Sequence, residues 1–297
     1  MTLNLQEETG FSTDDSEEPG SHPPVLVVVT LFRPTDSVSS RIRRLSTVLV
    51  IDGEARRESQ VHVLLFDNSP QCDRSLATPS APIRYEHHPE NGGTRAALLR
   101  AVELAVEMGI HWILALDQDS ILPINYLSTA FTQAKLGPST AAIVPDVLHN
   151  GKRVSPCRVT AVGRILPCRS LHGDVDTAIL SGAILSVAGL RALGQPPDVF
   201  WLDFLDHWIF RSFRRHRREI LAIPVQVGHD LSVSSPNQIP PWRMQNILRS
   251  ERAFVASEEG LISRWAYRAR LAFRLSKQVS LRSPVWRMTW NALRHGA

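Results

Sequence analysis

The chain alternates short apolar runs with amphipathic stretches, and the runs break off in polar residues. Residues 25–30, all β-branched but Leu26, form a continuous run with the pattern of a strand buried on both faces in a parallel sheet. Residues 61–66, 83–86, 112–116, 141–145 and 219–227 read as further strands, and 178–187 as another with a bend at Ser181-Gly182. Helical periodicity runs from a cap at Thr35 or Asp36 towards Val50, from Ala96 to Met108 where Gly109 ends it, from Pro123 to about Lys135, and up to Leu193 before Gly194. Strand, helix, strand, strand, helix, strand in the first half predicts an α/β fold. Its centre is a mixed, mostly parallel sheet flanked by helices, with more helices at the C-terminus. Residues 146–176 hold several glycines and prolines and read as an irregular sheet extension or a mobile flap.

Three segments follow from the pattern: an acidic disordered tail (1–22), one large α/β domain (23–240) and basic amphipathic helices (241–297). The tail carries six carboxylates and no Lys or Arg, so the remaining chain is strongly basic although the net charge is only +4. Such a body suits phosphate-rich partners or an anionic membrane surface. Nucleic acid is not expected, because neither zinc spacing nor a helix-turn-helix pattern accompanies the charge. Three scattered cysteines give neither a disulfide framework nor a CxxC motif, which points to a reducing compartment. With no secretory leader and no apolar stretch long enough to span a bilayer, the expected location is cytoplasmic, in peripheral contact with the inner face of the membrane.

The polar residues ending the strands supply the chemistry. Trp112 to Leu116 runs into Asp117-Gln118-Asp119-Ser120, where two carboxylates leave a strand together and can turn towards one cation. Residues 61–66 end at Asp67, placed either to bond a base or sugar or to form an Asx-turn. Asn91-Gly92-Gly93 precedes a helix whose first turn holds Arg95, an arrangement open to a phosphate. Asp203 and Asp206 are three apart among aromatic residues, which would put them on one face of a starting helix, either as a cap and acidic match to its dipole or with Asp206 as a general base. His229 leaves the last strand as a potential metal ligand or an ordinary satisfied histidine. The dinucleotide fingerprint and the phosphate loop motif are both absent, which disfavours simple Rossmann dehydrogenases and P-loop enzymes. From Trp242 onwards, eleven Lys or Arg stand against three Glu, interspersed with Trp at helical spacing. These helices could lie on an anionic membrane or pack on the domain.

Taken in order, Val28-Val29-Thr30-Leu31-Phe32-Arg33-Pro34, Phe66-Asp67-Asn68-Ser69, Asn91-Gly92-Gly93, Leu116-Asp117-Gln118-Asp119-Ser120 and Asp203-Phe204-Leu205-Asp206-His207-Trp208 resemble glycosyltransferase family 2, in particular its bacterial rhamnosyltransferase branch. The resemblance covers residues 25–250. It implies a GT-A fold and an inverting, metal-dependent transfer of a sugar, rhamnose from dTDP-rhamnose, to a lipid-linked or polysaccharide acceptor in cell-surface glycan synthesis. By the same resemblance Thr30 and Phe32 line the base pocket and Asp67 bonds the pyrimidine, while Asn91, Gly92 and Arg95 lie beside the nucleotide. Asp117 approaches the ribose or the metal, Asp119 ligates Mg²⁺ or Mn²⁺, His229 adds a metal or phosphate contact, and Asp206, or else Asp203, is the base. The alternatives are a transferase using a different nucleotide sugar, or a catalytically degenerate domain serving as a binding or scaffolding module, which expects Asp119, Asp206 or both to turn away from any shared cleft.

Overall fold

The computed structural model describes residues 22–35, 61–73, 76, 83–171, 175–229, 239–258, 261–281, 283 and 285–294. The expected helix towards Val50 and, apart from His22, the acidic tail lie outside these residues. One sheet organises the rest, in the order β10 (Glu219–Gly228), β5 (Thr140–His149), β9 (Ile184–Ser186), β4 (Trp112–Asp117), β1 (Val25–Leu31), β2 (Val61–Asp67), β3 (Ile83–His87). Strands β1, β2, β3 and β4 pair in parallel, as do β5 and β10. Within that order β9 runs against both its neighbours, β4 and β5, so β4, β5 and β10 point the same way. The carboxyl ends of β1, β2, β4 and β10 therefore share one edge. In an open sheet that edge is where ligands bind.

The β-branched run of β1 is buried on both faces because alternate residues leave it on opposite sides. Leu26 and Val28 join a core with α1 (Gly93–Glu107), α3 (Val187–Leu193), α4 (Leu205–Arg215) and Phe254. Val25, Val27, Val29 and Leu31 join the opposite core with α2 (Tyr126–Gln133). Phe254 belongs to α5 (Pro241–Ser257), whose Ser250 Oγ also donates to the Val199 carbonyl. Met244 and Leu248 on the same helix pack with Tyr267 and Leu271 of α6 (Leu261–Ser280) and with Val285, just before α7 (Trp286–Arg294), forming a third cluster.

Two segments depart from the simple reading of the pattern. The run at 178–187 is a strand only at Ile184–Ser186, because Gly182 takes φ +81° in the turn that precedes it. Residues 146–176 take the sheet-extension form. Strand β5 continues to His149, β6 (Lys152–Ser155) pairs back onto it, and β7 (Cys157–Val159) pairs with β8 (Ile165–Pro167) as a small second sheet. Among the described residues, no helix is long and apolar enough to cross a membrane.

Candidate active site

The turn after β4 is built by its own side chains. Ser120 donates its backbone N–H to the Asp117 carbonyl, and its hydroxyl accepts from the Asp117 N–H at 3.1 Å. Gln118 turns outward to accept from the Phe32 N–H at 2.9 Å, joining the turn to the end of β1. With this scaffold satisfied, Asp117 and Asp119 are left to face the cleft. Thr30 of β1 is the register partner of Asp117, and the two open onto the same space.

His229 arrives from the far end of the sheet. A pair of hydrogen bonds between Ile121 and Gly228, 2.8 and 3.0 Å, staples the chain just past the turn to the end of β10. His229 Nδ1 then lies 3.2 Å from Asp119 Oδ1, and Nε2 lies 3.9 Å from Asp117 Oδ2. Ser181, delivered by the Gly182 turn, donates to Asp117 Oδ2 at 2.7 Å and sits 3.2 Å from His229 Nδ1. The tight bend at Ser181-Gly182 was visible in the sequence. Its hydroxyl contact with Asp117 was not.

These side chains fit a divalent cation. One ligand atom from each of Asp117, Asp119 and His229 falls within 4.8 Å of the others, the spacing a shared ion requires. Among the described residues, Asp119 Oδ1 is buried without a hydrogen bond, although His229 Nδ1 lies 3.2 Å from it. An orphaned buried carboxylate oxygen is costly without a partner, and a cation would supply one. Two carboxylates and one imidazole suit Mg²⁺ or Mn²⁺ better than a soft metal. Asp117 shows the electrostatic strain of this grouping. Although 40% of its side chain faces the cleft, desolvation pushes its pKa up, His229 and the Ser181 hydroxyl pull it down, and Asp119 and Asp206 push it up again.

Asp206 lines the same cleft, a space of about 930 Å³ that Thr30, Phe32, Asp119 and His229 also border. Asp119 and Asp206 both border this cleft, whereas the degenerate-module alternative expects one or both to turn away from it. Helix α4 begins at Leu205, with Phe204 before it at φ +64° and no side-chain cap, so Asp206 sits in its first turn. The expectation that Asp203 and Asp206 share a helix face is corrected here, because Asp203 lies before the helix and is drawn to α5. Its Oδ1 accepts from Arg243 at 2.8 and 3.0 Å, and its Oδ2 accepts from Asn246, whose own Oδ1 takes the Trp201 indole N–H at 2.6 Å. Burial pushes the Asp203 pKa up, while Arg243 and Asn246 oppose the shift. Asp206 Oδ1 accepts the adjacent His207 N–H at 2.8 Å, and its side chain is 23% exposed.

Neither a protein-family model nor a curated protein sequence matches the chain. Solved structures do. The chain superposes on the mannosyltransferase PcManGT from Pyrobaculum calidifontis, a complex with GDP-Man and Mn²⁺, with a TM-score of 0.52 and 13% identity, covering 94% of this chain and 88% of that one. It superposes on S. aureus TarS with a TM-score of 0.50 and 12% identity, covering 86% of this chain but only 43% of TarS. The chain has a GT-A fold.

Within this GT-A domain the remaining sequence candidates are placed differently. Asp67 is fully buried, with Oδ1 accepting from Ser69 N at 2.9 Å and Oδ2 from the Tyr85 hydroxyl at 2.6 Å. The first bond is the Asx-turn that the sequence allowed for. Asn91, Gly92 and Arg95 stand outside the cleft lining, while Thr94 is within it. The close approach made by the glycine turn is to protein: Gly93, at φ +66°, lies against the Trp201 carbonyl and ring. Arg95 reinforces this contact, its N–H donating to the Trp201 carbonyl at 3.0 Å and its guanidinium reaching the Pro196 carbonyl and Asp198. The start of α1 thus clamps the loop that carries Asp203 and leads into the helix start at Asp206. Arg243 and Lys277, which also border the cleft, gave no sign of that place in the sequence, since each is one of many cations on a basic helix.

Proposed function

We propose that this chain is a metal-dependent glycosyltransferase that moves a sugar from a nucleotide-diphosphate donor to an acceptor hydroxyl with inversion at the anomeric carbon. The observation that carries the proposal is the convergence of Asp117, Asp119 and His229 with Asp206 on one cleft, at the carboxyl edge of the sheet. Asp117, Asp119 and His229 would hold Mg²⁺ or Mn²⁺. When bound, the cation places positive charge beside the donor's diphosphate and favours its departure. Asp206 accepts the proton of the acceptor hydroxyl, whose oxygen forms the new bond to the anomeric carbon as the bond to the diphosphate breaks. Asp206 is preferred to Asp203 as this base because both oxygens of Asp203 are already engaged by Arg243 and Asn246. Asp203 is then a positioning residue, holding the loop to α5.

Thr30 and Phe32 border the cleft beside Asp117 and are assigned to the donor base and ribose. Asp67, Asn91, Gly92 and Arg95 are assigned to shaping that donor side, through the Asx-turn and the clamp on Trp201. Residues 23–240 form the catalytic domain in this reading, and 241–297 close one wall of the cleft through Arg243, Met244 and Lys277. The nucleotide sugar and Mn²⁺ of PcManGT support the donor class and the metal. Rhamnose from thymidine diphosphate, passed to a lipid-linked or polysaccharide acceptor, follows from the motif resemblance.

Calorimetric titration with dTDP-rhamnose, UDP-sugars and GDP-mannose, each with and without Mn²⁺, tests the reading. Metal-dependent binding of one donor is expected, lost in Asp119→Ala and kept in Asp206→Asn, which loses transfer. No binding of any donor would remove the transferase reading, and equal loss of affinity in both variants would overturn the division of roles.

A further inference from the structure

Helix α6 has two apolar faces. Its inner face places Tyr267 and Leu271, each 1% exposed, in the cluster with Met244 and Leu248 of α5, and an ion pair from Arg274 to Glu251 at 2.9 Å fixes the contact. That accounts for the helix being docked. Among the described residues it leaves the outer face exposed.

At 3.6 residues per turn, Trp265, Ala269, Ala272, Phe273, Ser276 and Val279 fall on a single arc. All six are exposed, Trp265 at 71% and Phe273 at 73%. Arg264 and Arg268 bound this arc on one side and Lys277 on the other, and the Arg268 guanidinium lies 5.8 Å from the Trp265 ring centroid. Helix α7 repeats the arrangement on a smaller scale. Trp286 and Trp290, one turn apart, are both exposed, and Arg287 stands 5.5 Å over the Trp286 ring.

The charge of this region selects the partner. Residues 261–297 hold eight Lys or Arg and not one Asp or Glu. A face that offered only aromatic side chains could receive another protein, and one that offered only cations could be a solvated surface. Aromatic residues flanked by cations, with no acidic residue in the whole segment, match a bilayer interface with anionic headgroups, where indole rings sit at headgroup level and guanidinium groups meet phosphates.

We propose that the outer faces of α6 and α7 dock this protein on an anionic lipid bilayer. The opposite side of α6, through Arg274 and Gln278, is a wall of the cleft, and Lys277 stands where the two faces meet. Docking therefore holds the cleft within about one helix diameter, roughly 10 Å, of the lipid surface. The surface and its partner follow from exposure and charge alone, so they stand whether or not the cleft transfers sugar.

Flotation of the full chain with vesicles tests this. The protein is expected to float with vesicles of phosphatidylcholine containing phosphatidylglycerol, to stay behind with pure phosphatidylcholine, and to detach as salt is raised. The double variant Trp265→Glu/Phe273→Glu is expected to lose binding to the anionic vesicles by at least about tenfold. Its unfolding midpoint and elution volume are expected to be unchanged, since both side chains are mostly solvent-exposed. Equal binding to both vesicle types, no binding to either, or undiminished binding by the double variant would overturn the proposal. So would a change from dimer to monomer in that variant, which would make the face a protein interface. None of these readings uses a donor or an activity, so failure here is separable from failure of the transferase reading.

Discussion

Replacing Arg243 by Met would expose how the loop before α4 is held. Arg243 meets Asp203 Oδ1 through two nitrogens, the nearer at 2.8 Å, and the Asp203 side chain is only 9% exposed. At an effective dielectric near 20, unit charges at that distance attract by about 6 kcal/mol, most of it offset by the desolvation of both groups. Losing one partner strands the other, which costs about 3 kcal/mol at the lower end of the range for buried pairs, because Arg243 itself is partly exposed. For 297 residues this corresponds to a fall in melting temperature of about 5 °C.

The pH dependence has a definite sign. Burial already raises the folded-state pKa of Asp203, and removing Arg243 removes the largest influence opposing it. The folded state of the variant then holds its proton to higher pH than the unfolded state does, so stability falls as pH rises through that interval. The deficit should be full near neutrality and should shrink towards about pH 4, the ordinary carboxylate value. Urea unfolding of wild type and variant across that range is the assay, with Arg243→Met/Asp203→Asn as the closing corner of a cycle. The double variant should recover much of the loss, since no buried charge is left unpaired. A loss below about 0.5 kcal/mol, a pH-independent loss, or a double variant no better than the single one would refute the reasoning. In the same variant, turnover should fall through displacement of Asp206, while Mn²⁺ binding is kept.

Other outcomes follow from the same geometry. Asp117→Asn should raise the melting temperature of the metal-free protein near neutral pH, because a carboxylate whose folded pKa is raised costs stability above its unfolded value; the gain should vanish below about pH 4, and stabilisation by Mn²⁺ should be lost. In wild type, Mn²⁺ at a hundred times its dissociation constant should stabilise the fold by about 2.7 kcal/mol, read by thermal unfolding. Titrated calorimetrically, Mn²⁺ affinity should weaken on acidification sooner than it would at an unperturbed carboxylate, since the raised Asp117 pKa brings proton competition to higher pH. Gly93→Ala should lose at least about 2 kcal/mol in denaturant unfolding, from left-handed strain plus collision with Trp201, and should slow any transfer by shifting the loop.

What the sequence settled lies within single stretches of chain. The β-branched run of β1 could only be a doubly buried strand, and Asp-Gln-Asp-Ser folds into its turn through bonds between Asp117 and Ser120 that no distant residue needs to supply. The Asx-turn at Asp67 is equally local, closing on Ser69 two positions later. From such pieces the parallel sheet and the paired aspartates at its edge could be read directly.

What only the tertiary structure decided is which distant groups meet. His229 reaches Asp119 because Ile121 and Gly228 bridge two strands that lie apart in the sheet, and Ser181 reaches Asp117 because Gly182 turns the chain back beside β4. Asp203 and Asp206 look alike in sequence. They separate only because Arg243 and Asn246, forty and more positions later, occupy one of them. The Asn-Gly-Gly turn kept its need for a close neighbour, but that neighbour is Trp201, a fact of packing that no local pattern encodes. Backbone bonding and periodicity act over a few residues, whereas the pairing of buried charges and the filling of space over α1 are settled by whatever the fold brings alongside.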